Sequence, residues 1–226
     1  MITPSLTRIF ALSAMLMTAE HAQSKDAGRS HELFGKLETP TVMEFPKWEE
    51  VWKRIKEEKL FYTRCLNNPS QCPTPKAAEW SELVHSLRQS DRQTKLLRVN
   101  DFFDGMTYAR DIDLFGQKDY WLTPFEFMAF TGDCEDYAIA KYYTLRMLNF
   151  TTDSLRIVVA KIIDGEDHAF LAYFPPKGDG MLLDNAAPGM IIEQQYITKY
   201  IASYGVNEEG AWIYSINAPV PQPPQN

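Results

Sequence analysis

The sequence predicts an α+β fold in which helices come first and an antiparallel sheet follows. Two observations carry this. From Pro46 to about Leu148 apolar residues recur at helical spacing. From Leu155 onward they fall in short β-branched runs broken by turn chemistry such as Pro175-Pro176-Lys177-Gly178-Asp179-Gly180. Taken in order, 24–42 is polar and extended. Pro46 to Asn67 is helical, with Trp48, Val51, Trp52, Ile55 and Leu60 forming one apolar stripe. Further helices are expected over Ala77–Gln89 and Arg92–Phe103, then a loop from Asp104 to Lys118 and a short helical turn over Pro124–Ala129. A helix from Cys134 to about Leu148 sets Cys134, Ala138, Tyr142 and Leu145 on one face. Strands are expected over Leu155–Ile163, His168–Phe174, Met181–Asp184 and Ala211–Ile216.

The ends set the domain limits. Residues 1–24 read as a secretory signal: Arg8 is the charge, Ile9 to Ala19 the short apolar run, and Ala22-Gln23-Ser24 a small-x-small cleavage site. A buried N-terminal helix is the alternative; the run is too short to span a bilayer comfortably. An extended segment (25–45), one globular domain (46–218) and a Pro-rich tail (219–226) follow. Pro219-Val220-Pro221-Gln222-Pro223-Pro224 continues neither a helix nor a central strand. A formal net charge of -7 argues against nucleic-acid binding. No polybasic stretch offers a hold on anionic lipid.

Of the three cysteines, Cys65 and Cys72 flank Asn67-Asn68-Pro69-Ser70, which is turn chemistry. In an oxidising compartment they form a disulfide; the alternative, a pair of metal ligands, lacks further soft ligands nearby. Cys134 is then left over, and an odd thiol in an exported protein is buried and inert, cross-linking or catalytic. Only His168 follows it in the chain. A lone strand histidine is often an ordinary core residue. Here, however, a cysteine opens a helix, a histidine heads a strand and Asp184 ends the next one. Adjacent antiparallel strands would set His168 beside Asp184, with the thiol at the other imidazole nitrogen: nucleophile, base and orienter. A helix N-terminus favours a thiolate, and the Cys134 N–H is a candidate oxyanion donor.

Asp133, Glu135 and Asp136 work against that thiolate, because like charge raises a thiol pKa. Acidic residues favour a helix's first turn in any case. The alternative reading is a hard cation, Ca²⁺, held by clustered carboxylate oxygens.

The run Gly132-Asp133-Cys134-Glu135-Asp136-Tyr137-Ala138-Ile139-Ala140-Lys141-Tyr142 resembles the hallmark of the bacterial transglutaminase-like cysteine proteinases of LapG type. The similarity extends upstream through Val99-Asn100-Asp101-Phe102-Phe103, Asp111-Ile112-Asp113-Leu114 and Asp119-Tyr120-Trp121. Downstream it takes in Leu155-Arg156-Ile157, His168 and Leu182-Leu183-Asp184-Asn185, so it covers about residues 33 to 216. The resemblance implies a papain/transglutaminase-like core with a Cys134–His168–Asp184 triad. It implies a calcium requirement, with Asp133 and Glu135 as ligands and Asp136 as a further candidate. It also implies a periplasmic location, a large surface adhesin as substrate, cut near a dialanine site to control biofilm attachment, and an inhibitory LapD-type receptor responding to cyclic di-GMP. Trp121 is either part of that docking surface or a core tryptophan. Acyl transfer to an amine through the same thioester is the alternative reaction. A non-catalytic periplasmic binding module on the same fold is the non-enzymatic alternative.

Overall fold

The computed structural model describes residues 31–163, 165–194 and 198–215. The signal segment 1–24, residues 25–30, Asp164 and the Pro-rich tail lie outside the described residues. The helices are α1 (Pro46–Glu57), α2 (Lys59–Asn67), α3 (Pro75–Leu87), α4 (Arg92–Asp104), α5 (Asp111–Phe115), α6 (Pro124–Phe130) and α7 (Cys134–Met147). The helical period runs through Glu58 without a break, yet the structure divides α1 from α2 there. The Glu58 carboxylate turns inward and accepts from Tyr62 Oη at 2.7 Å and Thr123 Oγ1 at 3.1 Å. Cys65 and Cys72 are joined in a disulfide across the turn that follows α2. The five residues of α5 fall in a segment that reads as loop from its sequence.

The strands are β1 (Glu32–Leu33), β2 (Lys36–Thr41), β3 (Leu155–Ile162), β4 (Asp167–Tyr173), β5 (Met181–Leu183), β6 (Ile191–Glu193), β7 (Tyr200–Asn207) and β8 (Gly210–Ser215). They form one antiparallel sheet in the order β1-β2-β8-β7-β3-β4-β5-β6. Two of the longer strands are hard to read from sequence. In β2 the residues Lys-Leu-Glu-Thr-Pro-Thr carry almost no apolar pattern; main-chain pairing to β8 makes the strand, and Pro40 is tolerated because only Lys36 and Leu37 pair on its other side. In β7, Gly205 weakens the strand signature. It lets the strand lie close to its neighbours, since a Cβ would sit 3.2 Å from the Tyr214 ring and 3.5 Å from Arg156 Cβ.

The sheet has apolar groups on both faces. Ile157, Leu171, Leu183 and Val206 face the helices and pack with Ala138, Tyr142 and Leu145 of α7. The alternate residues Val158, Ala160, Phe170, Ala172, Tyr200 and Ala202 form a second cluster on the other face, together with Leu33 of β1. α7 is buried over almost its whole length, including Glu135, Asp136 and Lys141. A helix packed all round shows no one-sided stripe, so its charges need partners rather than solvent.

Candidate active site

The start of α7 is fixed by the residues around Cys134. Gly132 permits a close approach: a Cβ there would lie 2.0 Å from Asp136 Oδ2. Asp133 is the N-cap residue, and its N–H donates to Asp136 Oδ2 at 3.1 Å. The other Asp136 oxygen accepts from Leu122 N at 2.7 Å, which ties the segment after Trp121 to the helix. Just upstream, Thr131 has φ 65° and ψ 179°, a conformation that a β-branched residue strongly disfavours. Thr131→Gly is expected to stabilise the protein by about 1 kcal/mol through relief of that strain. Urea unfolding reads the change, and a lower midpoint would show that the threonine is held by contacts worth more than the strain.

Cys134 is partly buried and is the one free cysteine. Burial pushes its thiol pKa up, and Glu135 and Asp133 push it further, while a hydrogen bond from the Ala169 N–H opposes them. That bond sets the sulfur against β4 at the residue after His168. The thiol also lies 3.3 Å from Glu135 Oε2. His168 Nε2 is 2.7 Å from Asp184 Oδ1, which leaves Nδ1 for a second partner. Asp184 is buried, which by itself would raise its pKa. The bonds from His168, from Tyr200 Oη at 2.6 Å and from Ala186 N at 2.9 Å outweigh burial and hold it below the ordinary carboxylate value.

The loop after Asp184 is clasped from the helical side. Asp104 Oδ2 accepts from Gly189 N at 2.9 Å and from Asn100 Nδ2 at 2.7 Å, and Asn100 Nδ2 also reaches Met190 O at 3.2 Å. The other Asp104 oxygen holds Lys141 Nζ at 2.6 Å in a pair with almost no solvent exposure.

The acidic residues make a compact oxygen cluster. Asp111, Asp133 and Asp136 each offer a carboxylate oxygen within 4.8 Å of the others, and Asp133, Cys134 and Glu135 do the same with the sulfur included. Among the described residues, Asp111 Oδ1 and Asp133 Oδ1 are buried with no hydrogen-bond partner. Burial, together with the neighbouring carboxylates, pushes Asp111 up to about 6 and Glu135 up to about 10. Crowded, desolvated carboxylates with orphaned oxygens fit a hard divalent cation. Asp136 commits both oxygens to backbone N–H groups and is less free to serve. Asp111 was not among the ligands expected from sequence, although it opens the conspicuous Asp111-Ile112-Asp113-Leu114 run; only the fold brings it to Asp133. Trp121 belongs to the core and is 6% exposed, with Nε1 donating to Asp119 Oδ1 at 2.8 Å.

A model of the bacterial transglutaminase-like cysteine proteinases matches residues 53–218. The chain belongs to this family. Among solved structures, it is similar to Legionella pneumophila LapG in its calcium-bound form, with TM-score 0.56 and 28% identity over 73% of this chain and 86% of that one. It is similar also to Legionella pneumophila LapG (TM-score 0.57, 27% identity, 77% and 90% of the two chains). An EGTA-treated form of the same protein gives TM-score 0.57 and 27% identity, over 77% and 87%. No curated protein matches the sequence. The papain/transglutaminase-like α+β core expected from the sequence is the fold of this proteinase, and the chain is a LapG-type cysteine peptidase.

Proposed function

We propose that this proteinase is a calcium-dependent periplasmic endopeptidase that cuts the N-terminal region of a large surface adhesin, using Cys134, His168 and Asp184. The observation that carries the reading is the His168–Asp184 bond together with the lone free thiol at the N-terminus of α7, whose sulfur accepts from the N–H of Ala169, the residue after His168. In the reaction His168 takes the thiol proton, and the sulfur attacks the scissile carbonyl. The Cys134 N–H faces the developing oxyanion. His168 then returns the proton to the leaving amine, and water hydrolyses the thioester. Asp184, kept ionised, fixes the ring and its tautomer. Asp133, Glu135 and Asp111 would hold the cation, which would neutralise the charge that otherwise opposes a thiolate at Cys134.

The adhesin follows from the family's motif in this chain, and export from the signal-like N-terminus together with the Cys65–Cys72 disulfide. A LapD-type receptor belongs to the same reading. Contact through Trp121 would require the indole to leave its core position and its bond to Asp119.

Incubation with N-terminal adhesin fragments that contain a dialanine site tests the proposal. Cleavage in calcium, none in chelator and none by Cys134→Ala is the expected pattern. Cleavage by the alanine variant would refute the nucleophile, and cleavage in chelator would refute the metal. An added primary amine appearing in the products would turn the reaction into acyl transfer.

Calcium also has a predictable pH signature. A carboxyl whose folded pKa is raised contributes stability that is complete below its ordinary pKa and lost as pH rises through the folded value. For Asp111 that loss runs from the ordinary carboxylate range to about 6, and for Glu135 it continues to about 10. The metal-free protein should therefore weaken as pH rises over this window. Calcium, which binds the ionised oxygens in place of protons, should raise the unfolding midpoint more at about pH 8 than at about pH 5. Thermal scans with calcium and with chelator measure this, and an increment independent of pH would count against these carboxylates as ligands.

A further inference from the structure

Beyond the three residues above, we infer that Tyr200 is a positioning residue that holds Asp184 and His168 in place for Cys134. The inference rests on the triad reading and adds a fourth member that neither the motif nor the family match supplies. Asp184 is 2% exposed and has two oxygens to satisfy. Oδ1 takes His168 Nε2 and Ala186 N, at 2.7 and 2.9 Å. From the described residues, Oδ2 receives one hydrogen bond, the 2.6 Å bond donated by Tyr200 Oη. Without it a buried, charged oxygen is left unpaired, and the carboxylate loses one of the three hydrogen bonds that aim it at His168.

The ring of Tyr200 acts on the histidine itself. It stacks on His168 with centroids 5.3 Å apart and planes 28° apart, and on Phe170 at 5.4 Å and 20°. Tyr200 reaches across an intervening strand to do so. It lies on β7, whereas His168 lies on β4, with β3 between them. Opposite His168 on β3 is Ala160, and opposite Ala160 on β7 is Ala202. Two alanines leave the sheet face low at that point, and the tyrosine ring, from opposite Ile162, fills the space against the imidazole. One side chain thus braces the base by its ring and the orienting carboxylate by its hydroxyl.

The test uses the full-length, calcium-loaded protein and iodoacetamide as probe, since the disulfide leaves Cys134 as the single free thiol. Tyr200→Phe keeps the ring and removes the donor. It is expected to slow alkylation of Cys134 at neutral pH by about tenfold, the scale of a hydrogen bond to a charged group, with little change in thermal midpoint. In an Asp184→Ala background the same substitution is expected to cost nothing further, because the two groups act through one bond. 3-Fluorotyrosine at position 200, which retains ring and donor, is expected to keep the wild-type rate. A wild-type rate in Tyr200→Phe, losses that multiply in the double variant, or a slowed 3-fluorotyrosine protein would each overturn the inference. The triad reading fails separately, if His168→Ala and Asp184→Ala both alkylate at the wild-type rate. If those two are slowed and Tyr200→Phe is not, only the role of Tyr200 falls.

Discussion

His168→Ala is expected to lower kcat/KM on a cleavable adhesin fragment by at least about four orders of magnitude, with the fold intact. The size of the effect follows from the environment of the thiol. Burial pushes the Cys134 thiol pKa up, Glu135 adds to this where no cation offsets its charge, and the Ala169 N–H only partly opposes them. A neutral buried thiol is a poor nucleophile, so the reaction depends on a base that removes the proton as attack occurs. Among the described residues no other imidazole can serve. His31 is stacked on Phe174 and bound through Nε2 to Asp153 O at 2.9 Å, and His85 is turned to Leu66 O on α2. The nearest carboxylate, Glu135, already disfavours the thiolate. Steady-state kinetics with calcium present would measure the loss, with circular dichroism to verify folding. Activity within tenfold of wild type would mean that another group accepts the proton. Partial recovery with added imidazole would show that the missing function is the base itself.

Lys141→Met is expected to destabilise the protein by about 3–5 kcal/mol, the scale for breaking a buried ion pair by removing one partner. Lys141 has no solvent exposure and its Nζ lies 2.6 Å from Asp104 Oδ1. Burial lowers its pKa, and the Asp104 charge works to restore it, so the pair is held by geometry rather than by solvation. Methionine fills the stem but leaves the Asp104 carboxylate buried beside Asn100 and Gly189. Because Asp104 anchors the loop that follows Asp184, activity should fall as well. Replacing both charges, with Lys141→Met and Asp104→Leu together, should recover much of the stability, since no uncompensated charge remains, but should not restore the loop anchor. Urea unfolding of the single and double variants measures both effects. A single variant as stable as wild type would show that Asp104 is hydrated or protonated at little cost.

Much of the site is legible in the sequence because it is local. Gly132, Asp133, Cys134 and Asp136 fall within one helical start, and the structure keeps them together there, with close approach at the glycine, the N-cap at Asp133 and its N–H bound to Asp136. The Cys65–Cys72 turn is local too. His168 lies on β4 and Asp184 directly follows β5, so the His168–Asp184 approach follows once β4 and β5 pair. β2 and β7 are less legible, since pairing partners rather than side-chain pattern make them strands. The split of α1 from α2 at Glu58 has no clear mark in the sequence: Tyr62, one partner of the Glu58 carboxylate, is a turn away, but the other, Thr123, comes from a distant segment.

The sequence by itself determined the fold class, the odd cysteine, the order Cys134, His168 and Asp184 along the chain, and an acidic cluster around Cys134. Periodicity, turn chemistry and cysteine count are short-range properties, and they survive without coordinates. Only the tertiary structure decided that Asp111 joins Asp133 with orphaned oxygens, that Lys141 and Asp104 clasp the loop beyond Asp184, that Trp121 lies in the core, and that Tyr200 reaches across β3 to His168 and Asp184. Each of these joins residues distant in the chain, and a buried charge or hydroxyl declares its role only through the partner that packing brings to it.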